Sequence, residues 1–345
     1  MRKEEWFQNL LKQSGGCLVV DGGLATHLEH LGANINDPLW SALCLIKNPE
    51  LVRQVHREYL EAGAHIIITA SYQATIPGFC SRGLSLAESE ELLRRTVLLA
   101  VEARDAFRKS QQEKDIDDKN LQPALVAASI GSYGAYLADG SEYSGIYGPE
   151  MTLEKLKDFH RRRLQVVAEA KPDLIAFETT PNKIEAQAYV DLLREEAIDV
   201  PVWITFNSKD GVNVVSGDPF EECIGLAASC PSVVAVGINC TPPRFIHGLI
   251  LNAKKVTTKP IIIYPNSGEM WDGEKKEWVV SHFCDNGVHI QDLPFSFLHP
   301  STGVSDTDFV SYVHKWRESG ASLIGGCCRT TPKTIRAISE ALKRR

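Results

Sequence analysis

The sequence predicts a (β/α)8 barrel, a single domain over residues 1–345. Three observations carry that expectation. Eight short apolar runs alternate with amphipathic segments. The runs are continuous rather than alternating, as in parallel strands buried on both faces. Polar residues gather just after them, at the carboxyl ends, where such a fold assembles its ligands. These are Asp21, Thr69, Ser71, Ser129, Glu178, Asn207, Cys240, Asn266, Cys327 and Cys328. A doubly wound open sheet is the second architecture with this pattern, because strand count alone does not prove closure.

The strand-like runs are 18–21, 65–69, 125–129, 174–178, 202–206, 233–240, 261–264 and 322–327. Helix starts are legible between them. Asn48 before Pro49 reads as an N-cap and first-turn proline, with Gly63 as a stop. Ser85 and Glu88 form a capping box, and Leu92, Thr96, Leu99 and Ala103 lie on one face beyond it. Asp218-Pro219 with Glu221 repeats the pattern, and Thr330 or Thr331 before Pro332 opens the last helix. Residues 110–122 are polar and charged and are expected to form a mobile surface loop. Two long loops follow strand ends. Residues 133–149 are rich in Gly and Tyr, and residues 267–302 carry Trp271, Trp278, Phe283 and His289. Such loops serve as lids or substrate walls.

Composition narrows the class. Hydrophobic residues make up 43% and charged residues 23%, so a large core is available. The net charge of −7, spread along the chain, argues against nucleic-acid binding and offers no polybasic membrane patch. No apolar run reaches the ~20 residues of a membrane span. The first twelve residues lack the apolar core of a secretory signal, and Glu4 and Glu5 speak against a transit peptide. The nine cysteines, an odd number widely spaced, fit a reducing, cytoplasmic location in which thiols serve metals or catalysis.

The most informative stretch is Gly325-Gly326-Cys327-Cys328-Arg329-Thr330-Thr331-Pro332. Adjacent strand residues face opposite ways, so two neighbouring thiols converge only where the strand ends and the backbone turns. Cys240 closes the run Val233 to Asn239 in a matching position. Three thiolates at two strand ends would hold one zinc ion and leave a fourth position open, the pattern of a catalytic site. Such a centre carries net negative charge and is a weak Lewis acid toward water. It suits the binding and deprotonation of a substrate thiol, which free in solution is ionised only to a few per cent near neutral pH. The plainer reading, buried cysteines acting as small hydrophobes, leaves their shared placement at strand ends unexplained.

Asp21-Gly22-Gly23, Glu178-Thr179-Thr180, Gly237-Ile238-Asn239-Cys240 and the paired-cysteine stretch together resemble the homocysteine S-methyltransferase family, over about residues 18–338. The resemblance implies a zinc-bearing barrel that methylates homocysteine to methionine. It assigns Cys240, Cys327 and Cys328 as zinc ligands and Asp21 and Glu178 as the carboxylates gripping the substrate ammonium. It places Thr69 and Ser71 near the amino-acid site. Backbone N–H groups at Gly22 and Gly23 would receive the substrate carboxylate. Asn266 would line the site or take the open zinc position, unless it is simply a turn asparagine.

With nothing following the barrel, no cobalamin or folate module is expected, so the methyl donor must arrive activated. A sulfonium meets this need, S-methylmethionine or S-adenosylmethionine; the run Tyr264-Pro265-Asn266-Ser267-Gly268 followed by Trp271-Asp272 resembles the S-methylmethionine-using members of the family, which implies S-methylmethionine by preference. The alternatives are betaine as donor or, in another class, a non-catalytic zinc- or thiol-binding barrel. A cationic donor favours aromatic walls, for which Trp271, Trp278, Tyr72, Tyr133 and Tyr136 are candidates. A monomer or small homo-oligomer acting on small molecules is expected.

Overall fold

The computed structural model describes residues 2–113, 121–272, 277–280 and 306–343. Its strands are β1 (Leu18–Val19), β2 (Ile66–Ile68), β3 (Leu125–Gly131), β4 (Leu174–Thr180), β5 (Val202–Phe206), β6 (Val233–Asn239), β7 (Ile261–Tyr264), β8 (Glu269–Asp272), β9 (Glu277–Val280) and β10 (Ala321–Ile324). Eight of them form one parallel sheet in the order β1-β10-β7-β6-β5-β4-β3-β2. The first and last members meet through a parallel bridge, Val20 with Ile66, flanked by Asp21 N–H to Ile66 O (3.0 Å) and His65 N–H to Val19 O (2.7 Å). The sheet is thus a closed (β/α)8 barrel, and the open-sheet alternative is excluded.

The continuous apolar runs resolve into two interleaved faces. Leu18, Val20, Ile66, Ala127, Ala176, Trp203, Ala235, Ile262 and Leu323 fill the barrel interior, whose floor is capped by Phe7 and Leu11 of the helix Lys3–Gln13. The intervening residues, among them Val19, Ile67, Ile175, Ile204, Val236 and Ile324, pack outward against the helices. Parity therefore determines which side chains reach the upper interior. Continuing each inward series toward the carboxyl end gives Ser129, Glu178, Thr205, Asn239 and Tyr264, a polar layer above an apolar one.

Helix starts follow the sequence in part. Ser85 and Glu88 form the expected reciprocal box, with Ser85 N–H to Glu88 Oε2 at 2.8 Å and Glu88 N–H to Ser85 Oγ at 3.3 Å. Pro49 occupies the first turn of Pro49–Glu61, but the Asn48 side chain makes no cap hydrogen bond. Asp218 does not cap Phe220–Ala228; its Oδ2 accepts from Lys183 N–H (2.9 Å) and Ser216 Oγ (2.8 Å), tying two loops together. The expected loop at 110–122 begins later, because the helix Leu86–Glu113 runs through residues 110–113. Residues 114–120 lie outside the described residues. The segment after β7 contains the antiparallel hairpin β8–β9, which sets Trp271 opposite Trp278 in register. Phe283 and His289 lie outside the described residues. Among the described residues, no helix is long and apolar enough to cross a membrane.

Candidate active site

The three cysteines of the sequence motif converge at the carboxyl end of the barrel, all their sulfurs within 4.8 Å of one another. Cys240 Sγ lies 3.6 Å from Cys328 Sγ, and Cys327 Sγ lies 3.9 Å from Cys328 Sγ. Both match the roughly 3.8 Å edge expected of tetrahedral thiolates at a Zn–S distance of about 2.3 Å. Cys240 and Cys327 lie within disulfide-bonding reach of each other, their Cα atoms 5.6 Å apart. In the reduced chain these two thiols join that of Cys328, giving a set of three thiolate donors.

The backbone explains the convergence. By parity Cys240 would face outward after Asn239. It adopts the left-handed conformation instead (φ 45°), which redirects its side chain over the barrel mouth. Its N–H donates to Tyr264 O at 3.2 Å, and Cys327 N–H donates to Pro265 O at 2.8 Å, anchoring both to the end of β7. Gly325 and Gly326 are required by space. A Cβ on Gly325 would sit 2.7 Å from Val20 Cβ, and one on Gly326 would sit 2.3 Å from Thr330 Oγ1. The turn after β10 therefore lies directly on the turn after β1, with Gly326 N–H donating to Asp21 O at 3.0 Å.

That contact sets the carboxylates beside the cysteines. Asp21 is 1% exposed. Its Oδ2 accepts from Ile68 N–H (2.8 Å), while its buried Oδ1 has no partner among the described residues. Burial, opposed by the Ile68 hydrogen bond and aided by the nearby Glu178 charge, raises its carboxyl well above the usual range. Glu178 accepts from Ser129 Oγ. Burial pushes it up to about 7, against the lowering effect of the Ser129 and Tyr264 hydroxyls. Burial likewise pushes the Cys328 thiol up to about 12, with Glu178 adding to the effect. Burial thus disfavours the charged forms of Asp21, Glu178 and Cys328, and a cation beside the sulfurs and another beside the carboxylates would favour them. The donor set fits a thiophilic metal ion held by Cys240, Cys327 and Cys328.

The other expected residues sit differently. Thr69 Oγ1 and Ser71 Oγ bond each other (2.6 Å); Thr69 Oγ1 also accepts from Ser129 N–H (3.0 Å) and Ser71 donates to Ser129 O (2.8 Å). Both hydroxyls therefore hold Ser129 in place beneath Glu178 rather than presenting free groups. Gly23 N–H is already given to Thr330 Oγ1 (3.1 Å), which leaves Gly22 as the available amide of that turn. Gly22 packs against Thr330 and Tyr59, where a Cβ would come within 2.8 Å and 2.9 Å. Asn266 Oδ1 accepts from Gly268 N–H (3.0 Å), the geometry of a turn asparagine. Tyr133 and Tyr136 are half-buried and pack on Phe159, with ring centroids at 4.9 Å and 5.2 Å. Tyr72 does lie at the site, bonded to the Thr179 side chain and within electrostatic reach of Glu178 and Cys328.

Two positioning residues escape a reading of the sequence for ligands. Asn239 accepts from Thr179 N–H (2.7 Å) and Thr205 Oγ1 (2.8 Å) and donates to Thr179 Oγ1 (2.7 Å). It holds Thr179 at φ 57°, directly after Glu178. Its place before Cys240 at a strand end is the only signal in the sequence. Arg163, 1% exposed, donates to Gly131 O (3.0 Å), Ser71 O (2.6 Å) and Tyr72 O (2.9 Å), pinning the turns after β2 and β3. Nothing in its helix sequence separates it from the more exposed neighbours Arg161 and Arg162.

Residues 18–342 match the family model described as homocysteine S-methyltransferase. Homocysteine S-methyltransferase 2 of Arabidopsis thaliana is 60% identical over 98% of this chain and 96% of its own length. The selenocysteine Se-methyltransferase of Brassica oleracea var. italica is 59% identical over 97% of this chain and 91% of its own. Among solved structures, the metallated form of the homocysteine methyltransferase MmuM from Escherichia coli superposes with a TM-score of 0.76 at 37% identity, covering 94% of this chain and 96% of that one. A converging cysteine triad beside two buried carboxylates, on a closed barrel matched end to end by these proteins, makes this chain a member of the homocysteine S-methyltransferase family.

Proposed function

We propose that the enzyme transfers a methyl group from a sulfonium amino acid, S-methylmethionine by preference, to the thiol of homocysteine, giving methionine, with zinc held by Cys240, Cys327 and Cys328. The observation that carries this reading is the meeting of three sulfurs from two distant strand ends next to Asp21 and Glu178. The Escherichia coli relative is described in a metallated form, which supports a metal at this corner. When bound, zinc would supply the cation that keeps the cysteine sulfurs and an incoming thiol deprotonated near neutral pH.

The chain's own residues bind and orient. The unpartnered Asp21 Oδ1 and the Glu178 carboxylate are the groups for the homocysteine ammonium, whose arrival restores the charged state that burial alone disfavours. Ser129 and Asn239 fix Glu178 from below and behind. The acceptor thiol gives its proton to solvent. Its sulfur pair forms the new bond to the methyl carbon while the donor's S–CH3 bond breaks, leaving that pair on a neutral thioether. No further electrophilic help is required, so alignment supplies much of the rate.

The test is an assay of methionine formation from homocysteine by the reduced protein, with S-methylmethionine, S-adenosylmethionine and betaine in parallel, with and without a zinc chelator. Rapid turnover with S-methylmethionine that is abolished by chelation and restored by zinc is expected. Removing any one of the three cysteines should remove bound metal and activity together. Full activity in a metal-free triple alanine variant would end the reading, and metal binding without turnover on any donor would favour a non-catalytic barrel.

A further inference from the structure

Two acceptor atoms at the barrel mouth have no hydrogen bond among the described residues and no role in the scheme above: Glu142 Oε2 and Asn207 Oδ1. Asn207 is 1% exposed and follows β5. Its orientation is determined by chemistry, because Nδ2 donates to the backbone O of Glu142 at 2.8 Å, and only an N–H can do so. Oδ1 therefore faces away from that bond as an unfilled acceptor. Glu142 sits in the helical turn Ser141–Ser144, and its carboxylate lies within electrostatic reach of Tyr72, Tyr143 and Cys328. It thus lies on the same side of the barrel as the cysteine corner, near Tyr72 and Cys328. The turn is held from outside at its C-terminal end, where Asn182 Nδ2 donates to Gly145 O (3.0 Å).

Buried acceptors left without donors are rare and costly, and here two occur on residues that touch each other. A sulfonium centre cannot fill them, since it carries no N–H, and neither can the quaternary nitrogen of betaine. A primary ammonium has three donors and a charge that matches the carboxylate. The reaction brings two amino acids together. Asp21 and Glu178 account for one ammonium group. Resting on the sulfonium reading above, we propose that Glu142 and Asn207 seat the α-ammonium group of the methyl donor. The enzyme therefore selects sulfonium amino acids over sulfonium compounds that lack an amino group. Burial raises Glu142 to about 7, with Asp139 also acting to raise it, so a cation arriving beside it favours its charged form.

The test compares kcat/KM for S-methylmethionine and for its des-amino counterpart, dimethylsulfoniobutyrate, using the zinc-loaded full chain and its Glu142→Gln variant. The wild-type protein is expected to favour S-methylmethionine by about 100-fold, and Glu142→Gln to shrink that ratio by about tenfold or more through a raised KM for S-methylmethionine alone. The KM for homocysteine and the zinc content should stay within about twofold of wild type, which a general loss of structure would not allow. An unchanged donor ratio in Glu142→Gln would overturn the assignment. So would equal use of the two donors by the wild-type protein, a result that does not depend on the variant folding. Absence of turnover with either donor in the wild-type protein would instead overturn the sulfonium reading, and this assignment with it.

Discussion

Replacing Asn239 with alanine tests whether the polar layer aims the carboxylate that follows β4. The substitution deletes three buried hydrogen bonds, two of them to Thr179 and one to Thr205. The Thr205 hydroxyl keeps its bond to Tyr264 Oη at 2.8 Å, so one backbone donor, Thr179 N–H, is left stranded. A stranded buried amide costs about 1–3 kcal/mol. The small cavity left by the amide group adds about 1 kcal/mol. The total is about 2–4 kcal/mol. At roughly 2.1 cal/mol/K of unfolding entropy per residue, 345 residues give about 0.7 kcal/mol/K, so Tm should fall by about 3–6 °C. The functional loss should be larger. Thr179 is β-branched and held at φ 57°, a conformation worth about 1–3 kcal/mol of strain that persists only while its surroundings impose it. Freed of the clamp, Thr179 relaxes and carries Glu178 with it. A displacement near 1 Å is enough to cost about 100-fold in kcat/KM. Differential scanning fluorimetry and steady-state kinetics with homocysteine as the varied substrate measure both effects. A variant with Tm within about 1 °C and kinetics within about twofold of wild type would refute the claim that Asn239 positions Glu178.

Two further outcomes follow from packing and from buried ionisable groups. Gly237→Ala in β6 would put a Cβ 1.8 Å from the backbone O of Ile262, whereas Gly225→Ala on the helix Phe220–Ala228 meets nothing within 4 Å. Thermal unfolding should therefore show the first destabilised by about 4 kcal/mol or more and the second stabilised by up to about 1 kcal/mol. His56 is fully buried with neither ring nitrogen partnered among the described residues, and burial depresses it to about 4. Its folded pKa lies below the ordinary value, so the unfolded chain takes up the proton first, and stability falls as pH drops from about 6.5 to about 4, by up to about 3 kcal/mol from this group. Urea midpoints measured across that window should fall, and His56→Leu should flatten the slope; an unchanged slope would show that His56 is not responsible.

The fold is legible because continuous apolar runs admit few architectures, and β5 and β7 coincide with the runs that predict them. Closure is not legible, since it rests on a strand as short as Leu18–Val19 and on backbone hydrogen bonds that no side-chain pattern encodes. Within the site, Cys240, Cys327, Cys328, Asp21 and Glu178 stand out because chemically unusual residues end apolar runs. Thr69 and Ser71 resemble lining groups in the sequence because a hydroxyl at a strand end looks the same whether it faces a ligand or a neighbouring strand. Asn239, Arg163 and Glu142 stay hidden for a related reason. What each does depends on partners far away in sequence, such as Thr179, Tyr72 and Asn207. The left-handed turns at Thr179 and Cys240 are likewise invisible, because neither residue type prefers that conformation.

The interlock between the turns after β1 and β10 bears on how the protein is made. Gly23 and Thr330 touch across 307 residues of chain, and two of the three sulfurs come from the later side of that contact. A ribosome will have synthesised most of the barrel before any metal-binding corner can exist. Until then the early segment carrying Asp21 has no partner to close against, and the nascent chain must wait in an open form. A metal ion taken up at this corner would therefore be loaded after synthesis, and its uptake would report that the ring of strands has shut.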